Sequence, residues 1–279
     1  MENLEFTTSG ESKMNIVIYS DQNYEYQVRN FIRSLSYGGI EDYKVFYYSI
    51  GFNSSIKSDK VVNIYWRKDS RKFEFYKPEI CLDALNYVKE NIFYFDADIT
   101  LSKRFYKMPV KFGKAYPTYS KGPIEYPHTF WDDANGRTVF DEKKLMNYLG
   151  VKERLMHYVM ACFFTYDENS RDFLEEYMSF CKNEYLLKQW QSMYAFTDET
   201  IANVLLWKRG ISDSYGRYFV NTHKFSTFKL CEENEDIKNT WIDNNMYEQC
   251  EDSSQVYFYH ATKDKEENEK ILKYIDENS

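Results

Sequence analysis

The 279-residue chain is 43% apolar, enough for a substantial core, and its 27 Tyr, 21 Phe and 5 Trp against 10 Gly and 5 Pro exclude collagen-like, low-complexity and disordered polymers. Its 36 Lys and Arg against 44 Asp and Glu leave a net charge of −8, so there is no overall positive field to hold a nucleic-acid duplex. No run approaches the ~18 consecutive apolar residues of a membrane span, and the start of the chain is polar and acidic without the apolar stretch of a secretory signal; a soluble, cytoplasmic protein is expected.

Residues 1–13 read as a flexible tail. Asn15–Tyr19 is a β-rich run that ends at the polar Ser20-Asp21. From Tyr24 to Leu35 the apolar Val28, Phe31, Ile32 and Leu35 fall on one helix face, and Gly38-Gly39 stops the helix. Tyr43–Ile50 reads as a second strand, and a strand, helix, strand unit favours a parallel sheet because the helical crossover returns the chain in the same direction. Val61–Trp66 and Lys72–Phe75 are short extended runs. Pro78 opens a helix carrying Cys81, Ala84, Leu85 and Val88 on one side, which leads into Ile92–Phe95, a buried-strand pattern that ends at Asp96-Ala97-Asp98.

Between Phe105 and Gly150, Pro109, Pro117, Gly122-Pro123, Pro127 and Gly136 break any long element, and strand plus long loops are expected. Tyr158–Tyr166 reads as a buried strand, followed by a helix from Ser170 with Phe173, Leu174, Tyr177, Met178 and Cys181 inside. A shorter helix spans Asp198–Arg209 and closes at Gly210. Val256–His260 is the last strand, before a charged helix striped by Ile271, Leu272 and Ile275. The five cysteines, Cys81, Cys162, Cys181, Cys231 and Cys250, form no C-x-x-C pair and are expected as reduced thiols. No internal repeat and no linker divides the chain, which reads as one α/β domain with a C-terminal extension.

The chemistry concentrates at Asp96-Ala97-Asp98. On an extended segment, residues two apart share a face, so both carboxylates can address one cation. In open parallel sheets ligands bind beyond the carboxyl ends of the strands, where this pair would sit. Two adjacent carboxylates repel, and a divalent ion keeps both ionised. The alternative is two solvated aspartates at a strand-to-loop turn.

With Asn15 to Asp21 as an opening strand, Tyr76-Lys-Pro78 and its helix running into Phe93-Tyr-Phe-Asp-Ala-Asp-Ile99, Thr197-Asp-Glu199 opening a helix, and Val256-Tyr-Phe-Tyr-His260 followed by Lys263, the chain resembles the nucleotide-sugar-dependent glycosyltransferases of the GT-A fold over about 250 residues. The resemblance implies a single Rossmann-like, mixed but mostly parallel sheet flanked by helices, with residues 14–101 as the nucleotide-sugar-binding half and 102–279 as the acceptor half and C-terminal extension. It also implies a metal-dependent transfer of a sugar, a hexose or related unit, from a nucleoside-diphosphate sugar (UDP-sugar favoured) to a hydroxyl of a glycan or other acceptor. Asp96 and Asp98 would hold Mn2+ or Mg2+ against the donor diphosphate. His260 would complete the ion's shell and Lys263 would touch the diphosphate, although the glycine and proline-tryptophan neighbours usual for that motif are absent here.

Ser20 and Asp21 are placed to contact uracil or ribose and Tyr19 to stack on or pack beside the base, or else Asp21 caps the following helix. Lys77 could approach phosphate at a helix N-terminus, or be simply solvated. Asp198 or Glu199, with Asp198 preferred, would face the acceptor and take its proton in an inverting enzyme, or position the sugar in a retaining one; helix capping accounts for one of them independently. The aromatics Tyr116, Tyr119, Tyr126, His128, Phe130 and Trp131 offer flat faces for sugar rings or ordinary packing.

Two other readings compete. Phe95-Asp-Ala-Asp-Ile-Thr100 also fits the Asp-x-Asp-x-Thr signature of haloacid-dehalogenase-like phosphatases, with Asp96 as nucleophile, Asp98 as acid/base and Asp132-Asp133 imitating a later acidic motif; that signature normally follows the first core strand. The third is a glycosyltransferase fold that binds a nucleotide sugar without turnover. No G-x-S-x-G, Walker loop or H-E-x-x-H is present.

Overall fold

Met14–Ser20 shows no alternation of polar and apolar residues: all but Asn15 are buried, the pattern of a strand covered on both faces. In the computed structural model this run is β1, paired in parallel with β2 (Tyr43–Ile50) on one side and with β4 (Ile92–Phe95) on the other. β3 (Val61–Trp66) lies outside β2, giving the order β3-β2-β1-β4, all parallel. The structure describes residues 13–103, 105–107, 116–117, 142–153, 161–193, 196–210, 219–221, 258–260 and 265–278.

The described residues fall into two compact units. The first draws on Met1–Lys68, Asn91–Lys111 and Gly216–Ser279; the second on Asp69–Glu90 and Phe112–Tyr215.

In the first unit, α1 (Glu25–Tyr37) crosses from β1 to β2 and buries Val28, Phe31 and Leu35. Asp21 accepts a hydrogen bond from the Asn23 N–H and so caps a 3₁₀ turn, Gln22–Tyr24, that leads into the helix. At the far end the helix is capped by Gly38, whose amide reaches the Ser34 carbonyl. A Cβ on Gly38 would lie 2.9 Å from Leu101 Cβ, so α1 and the short β5 (Ile99–Leu101) approach closely only because this residue has no side chain. A second sheet, order β5-β9-β8, joins β5 antiparallel to β9 (Phe258–His260), with β8 (Phe219–Asn221) parallel beside β9. The C-terminal helix α7 (Lys265–Asn278) contacts α1 through the Arg33–Asp276 ion pair and buries Ile271, Leu272 and Ile275, the stripe read from the sequence.

In the second unit, α2 (Lys77–Ala84) packs on α4 (Arg171–Cys181), and α4 packs on α6 (Asp198–Lys208). Cys81 and Cys181 are buried thiols. β6 (Tyr116–Pro117) pairs antiparallel with β7 (Phe163–Tyr166). The remaining helices are α3 (Glu142–Leu149) and α5 (Glu184–Trp190), the latter capped by Asn183. The described strands are thus mostly parallel, with two antiparallel pairs, β5 with β9 and β6 with β7, and are flanked by helices. No described helix is long and apolar enough to cross a membrane.

Four expectations change. Lys72–Phe75 is not extended: Phe73–Tyr76 is a 3₁₀ turn that winds directly into α2, burying Phe75 and Tyr76. The segment between Phe105 and Gly150 contains α3, whose eight residues bury one apolar pair, Leu145 and Met146, besides Glu142, too little to display a helical period. α5 went unread for the same reason, since its seven residues bury only Leu186. Of the run Tyr158–Tyr166, Ala161 and Cys162 form a turn and the strand is Phe163–Tyr166, whereas Val256–His260 is strand over its described residues, Phe258–His260.

Candidate metal centre

β4 ends at Phe95 and β5 begins at Ile99, so Asp96-Ala97-Asp98 is the whole connection between the two sheets of the first unit. The antiparallel register of β5 and β9 sets Ile99 opposite His260, which brings a histidine 162 positions along the chain beside Asp98. His260 Nε2 lies 3.1 Å from Asp98 Oδ1, and one ligand atom from each of Asp96, Asp98 and His260 falls within 4.8 Å of the others. His260 is buried and the two carboxylates are half-buried, so the cluster opens on its carboxylate side.

Two phenols border it. Tyr94 is fully buried in β4, and its hydroxyl donates to Asp96 Oδ1 at 2.5 Å. Burial, helped by the negative charges of Glu269 and Asp98, pushes the Tyr26 phenol of α1 upward, so it stays protonated at physiological pH.

The donor set suits a hard or borderline divalent cation. Two carboxylates cancel its charge, an imidazole nitrogen fills one further position, and three protein donors leave coordination positions for oxygen ligands from elsewhere. Zinc held in a closed structural site would want four protein ligands.

The other residues expected at the donor divide by burial. Tyr19 is 5% exposed, its ring 6.1 Å from that of Tyr94, and Ser20 is buried with its hydroxyl 2.7 Å from the Tyr47 hydroxyl. Burial drives the Tyr47 phenol well above its ordinary value, the Ser20 hydrogen bond opposing the rise. Asp21 caps its 3₁₀ turn, as the alternative reading had it. Lys263 lies outside the described residues, as do Tyr119, Tyr126, His128, Phe130, Trp131 and the Asp132-Asp133 pair.

In the second unit Lys77 is not solvated. Its ammonium is buried, 2.8 Å from Asp198 Oδ2 and 2.8 Å from the Ala161 carbonyl oxygen. Tyr177 adds a 3.1 Å hydrogen bond to the same Asp198 oxygen. Glu199 accepts from the Ala161 N–H at 2.8 Å, so this one residue is held at its carbonyl by Lys77 and at its amide by Glu199. Thr197 caps α6 through the Thr200 N–H, which relieves the two acids at the helix start of that duty. Lys72 donates to the carbonyls of Met193 and Phe196. Burial and then the charge of Asp198 raise the Glu74 carboxyl above its usual range.

Sequence reasoning missed Tyr94, Tyr177 and Tyr47. Tyr94 had a readable signal, because a residue two before Asp96 on a strand shares its face. Tyr177 and Tyr47 had none; both looked like ordinary apolar filling.

No protein-family model matches the chain, and no curated protein matches it in sequence. Solved structures do. The galactosyltransferase LgtC, determined with donor and acceptor sugar analogues, matches at a TM-score of 0.54 and 13% identity over 95% of this chain and 94% of that one. The bifunctional glycosyltransferase WbbM in its apo form gives 0.56 at 11% identity over 96% of this chain and 50% of its own. The fold is GT-A. The glycosyltransferase GlyE of Streptococcus pneumoniae, also in its apo form, matches at 0.48 with 12% identity over 89% of this chain and 54% of GlyE. The chain therefore spans about half the length of GlyE and WbbM and nearly all of LgtC. Within this GT-A fold the Asp-x-Asp segment follows the fourth strand in chain order, whereas the phosphatase signature follows a first strand.

Proposed function

We propose that this protein is a metal-dependent glycosyltransferase that moves a hexose or related sugar from a nucleoside-diphosphate sugar, UDP-sugar favoured, to a hydroxyl acceptor. The observation that carries this reading is the convergence of Asp96, Asp98 and His260 at the end of β4 in a GT-A fold. Asp96, Asp98 and His260 would hold Mn2+ or Mg2+, and the ion when bound supplies charge compensation for a departing nucleoside diphosphate without a proton donor.

The chain's own residues prepare the site. Asp96 and Asp98 concentrate negative charge at one point and His260, walled in on β9, offers a single nitrogen beside them. Asp21 at the end of β1, followed by Lys263 after β9, are proposed donor contacts; Tyr19 and Ser20, both buried, would support that rim from within the sheet. On the acceptor side Asp198 is preferred to Glu199 for its place at the helix entrance; Lys77 and Tyr177 engage one of its oxygens, as the Ala161 amide engages one of Glu199. Lys77 serves this reading as the counter-charge that holds Asp198.

Calorimetric titration of Mn2+ and then UDP into the parent, Asp96→Asn and Asp98→Asn proteins tests the proposal. The parent should bind the ion, bind UDP more tightly in its presence, and slowly release UDP from one UDP-sugar. Each variant should lose at least about tenfold in Mn2+ affinity. A parent that takes up neither ion nor nucleotide refutes the transferase, and unchanged affinity in both variants refutes the metal centre.

A further inference from the structure

We infer that Tyr94 is a positioning residue for the metal centre: its buried phenol, by engaging Oδ1, fixes the orientation of the Asp96 carboxylate that would help hold the ion. This rests on the metal reading of Asp96, Asp98 and His260.

Tyr94 sits on β4, two residues before Asp96, so strand geometry puts the two side chains on one face. The ring is closely packed. It is fully buried, its strand is paired to β1 with Tyr94 opposite Val17, and its neighbour across that pairing is Tyr19. A phenol held this way has no choice of direction, and its hydroxyl donates to Asp96 Oδ1 at 2.5 Å, within the range of hydrogen bonds to an ionised oxygen.

Asp96 needs such a guide. It lies just beyond the last strand residue, and its terminal torsion is intrinsically broad. A carboxylate free to rotate must be ordered when the ion arrives, whereas one already tethered presents a fixed lone pair. Asp98 lies 3.1 Å from His260 Nε2, a contact that would give way to shared ligation once an ion binds.

Two physical effects of removing the phenol oppose each other. Without the donor, Asp96 carries more negative charge density and would attract a cation more strongly; without the tether, it loses its orientation. The inference is that orientation dominates, so binding should weaken.

The experiment is Mn2+ titration of the protein without donor, for the parent, Tyr94→Phe, Tyr47→Phe and Asp96→Glu. Tyr94→Phe keeps the ring and should weaken Mn2+ binding by about tenfold, the low end for loss of an outer-shell partner. Tyr47→Phe removes another fully buried hydroxyl from the same sheet and should leave Mn2+ affinity unchanged whatever it does to stability. This control separates a general loosening of the sheet from the specific effect. Asp96→Glu keeps the charge but moves the carboxylate one methylene beyond the phenol, and should also bind Mn2+ more weakly; it keeps the test open should Tyr94→Phe not fold. Unchanged or tighter Mn2+ binding by Tyr94→Phe, parent-like affinity in Asp96→Glu, or an equal loss in Tyr47→Phe overturns the inference and leaves the metal centre standing. A parent that binds no Mn2+ overturns both.

Discussion

Replacing Lys77 by Met removes one partner of a buried ion pair and leaves the other behind. The Lys77 and Asp198 side chains are 5% and 6% exposed and their charged atoms are 2.8 Å apart. Methionine preserves most of the apolar stem, so the main loss is electrostatic. Asp198 keeps only the Tyr177 hydroxyl on that oxygen, and the Ala161 carbonyl loses its ammonium donor. Breaking a buried pair from one side costs about 3–5 kcal/mol, because the surviving charge stays out of water. At roughly 2–4 °C per kcal/mol for a chain of this size, Tm should fall by roughly 6–20 °C. Urea unfolding should show a lower midpoint with an unchanged slope, since the surface exposed on unfolding is the same. Replacing both partners, Lys77→Met with Asp198→Leu, should recover most of the loss, because a packed apolar pair is often as stable as the ion pair it replaces. If Lys77→Met alone stays within about 1 kcal/mol of the parent, the pair is not the buried, mutually dependent one described and the reasoning fails. The double variant also separates architecture from chemistry: if Asp198 serves the acceptor as proposed, it should be stable and catalytically dead.

Glu74 gives a pH-dependent prediction. Burial and the neighbouring Asp198 raise its carboxyl in the folded state, so its charged form is disfavoured by folding; the penalty is present above the raised value and vanishes as pH falls below the unfolded one. Glu74→Gln should therefore raise the urea midpoint at pH 7, with the difference from the parent shrinking toward pH 4; equal midpoints at pH 7 would contradict it. Gly38→Ala places a Cβ 2.9 Å from Leu101 Cβ and 3.3 Å from Phe105 Cβ. Overpacking of this kind should cost about 1–3 kcal/mol, and because β5 follows Asp98 directly, Mn2+ affinity should fall with it. Parent-like unfolding and Mn2+ binding in Gly38→Ala would show that α1 and β5 have room to part.

Periodicity and punctuation settled what depends on near neighbours. The β-rich runs of β1 and β2 announced strands and the apolar run of β4 a buried one, and the spacing of Val28, Phe31 and Leu35 with Gly38 after it announced α1 and its end. The Asp96-Ala97-Asp98 doublet was legible because its chemistry lies within three residues. Where an element was too short to complete a period, as in α3, α5 and the 3₁₀ turn before α2, the signal was absent.

Tertiary structure decided every pairing across distance. Lys77 looks like any exposed lysine before a helix until the fold brings Asp198, 121 residues later, against it, and only burial turns that meeting into a strong interaction. His260 was one doubtful histidine on a terminal strand; the register of β9 on β5 makes it a neighbour of Asp98. Sequence carries residue types and local geometry, but which side chains lose their water together is a property of the closed core, and that loss is what gives a charge, a phenol or an imidazole its chemical role.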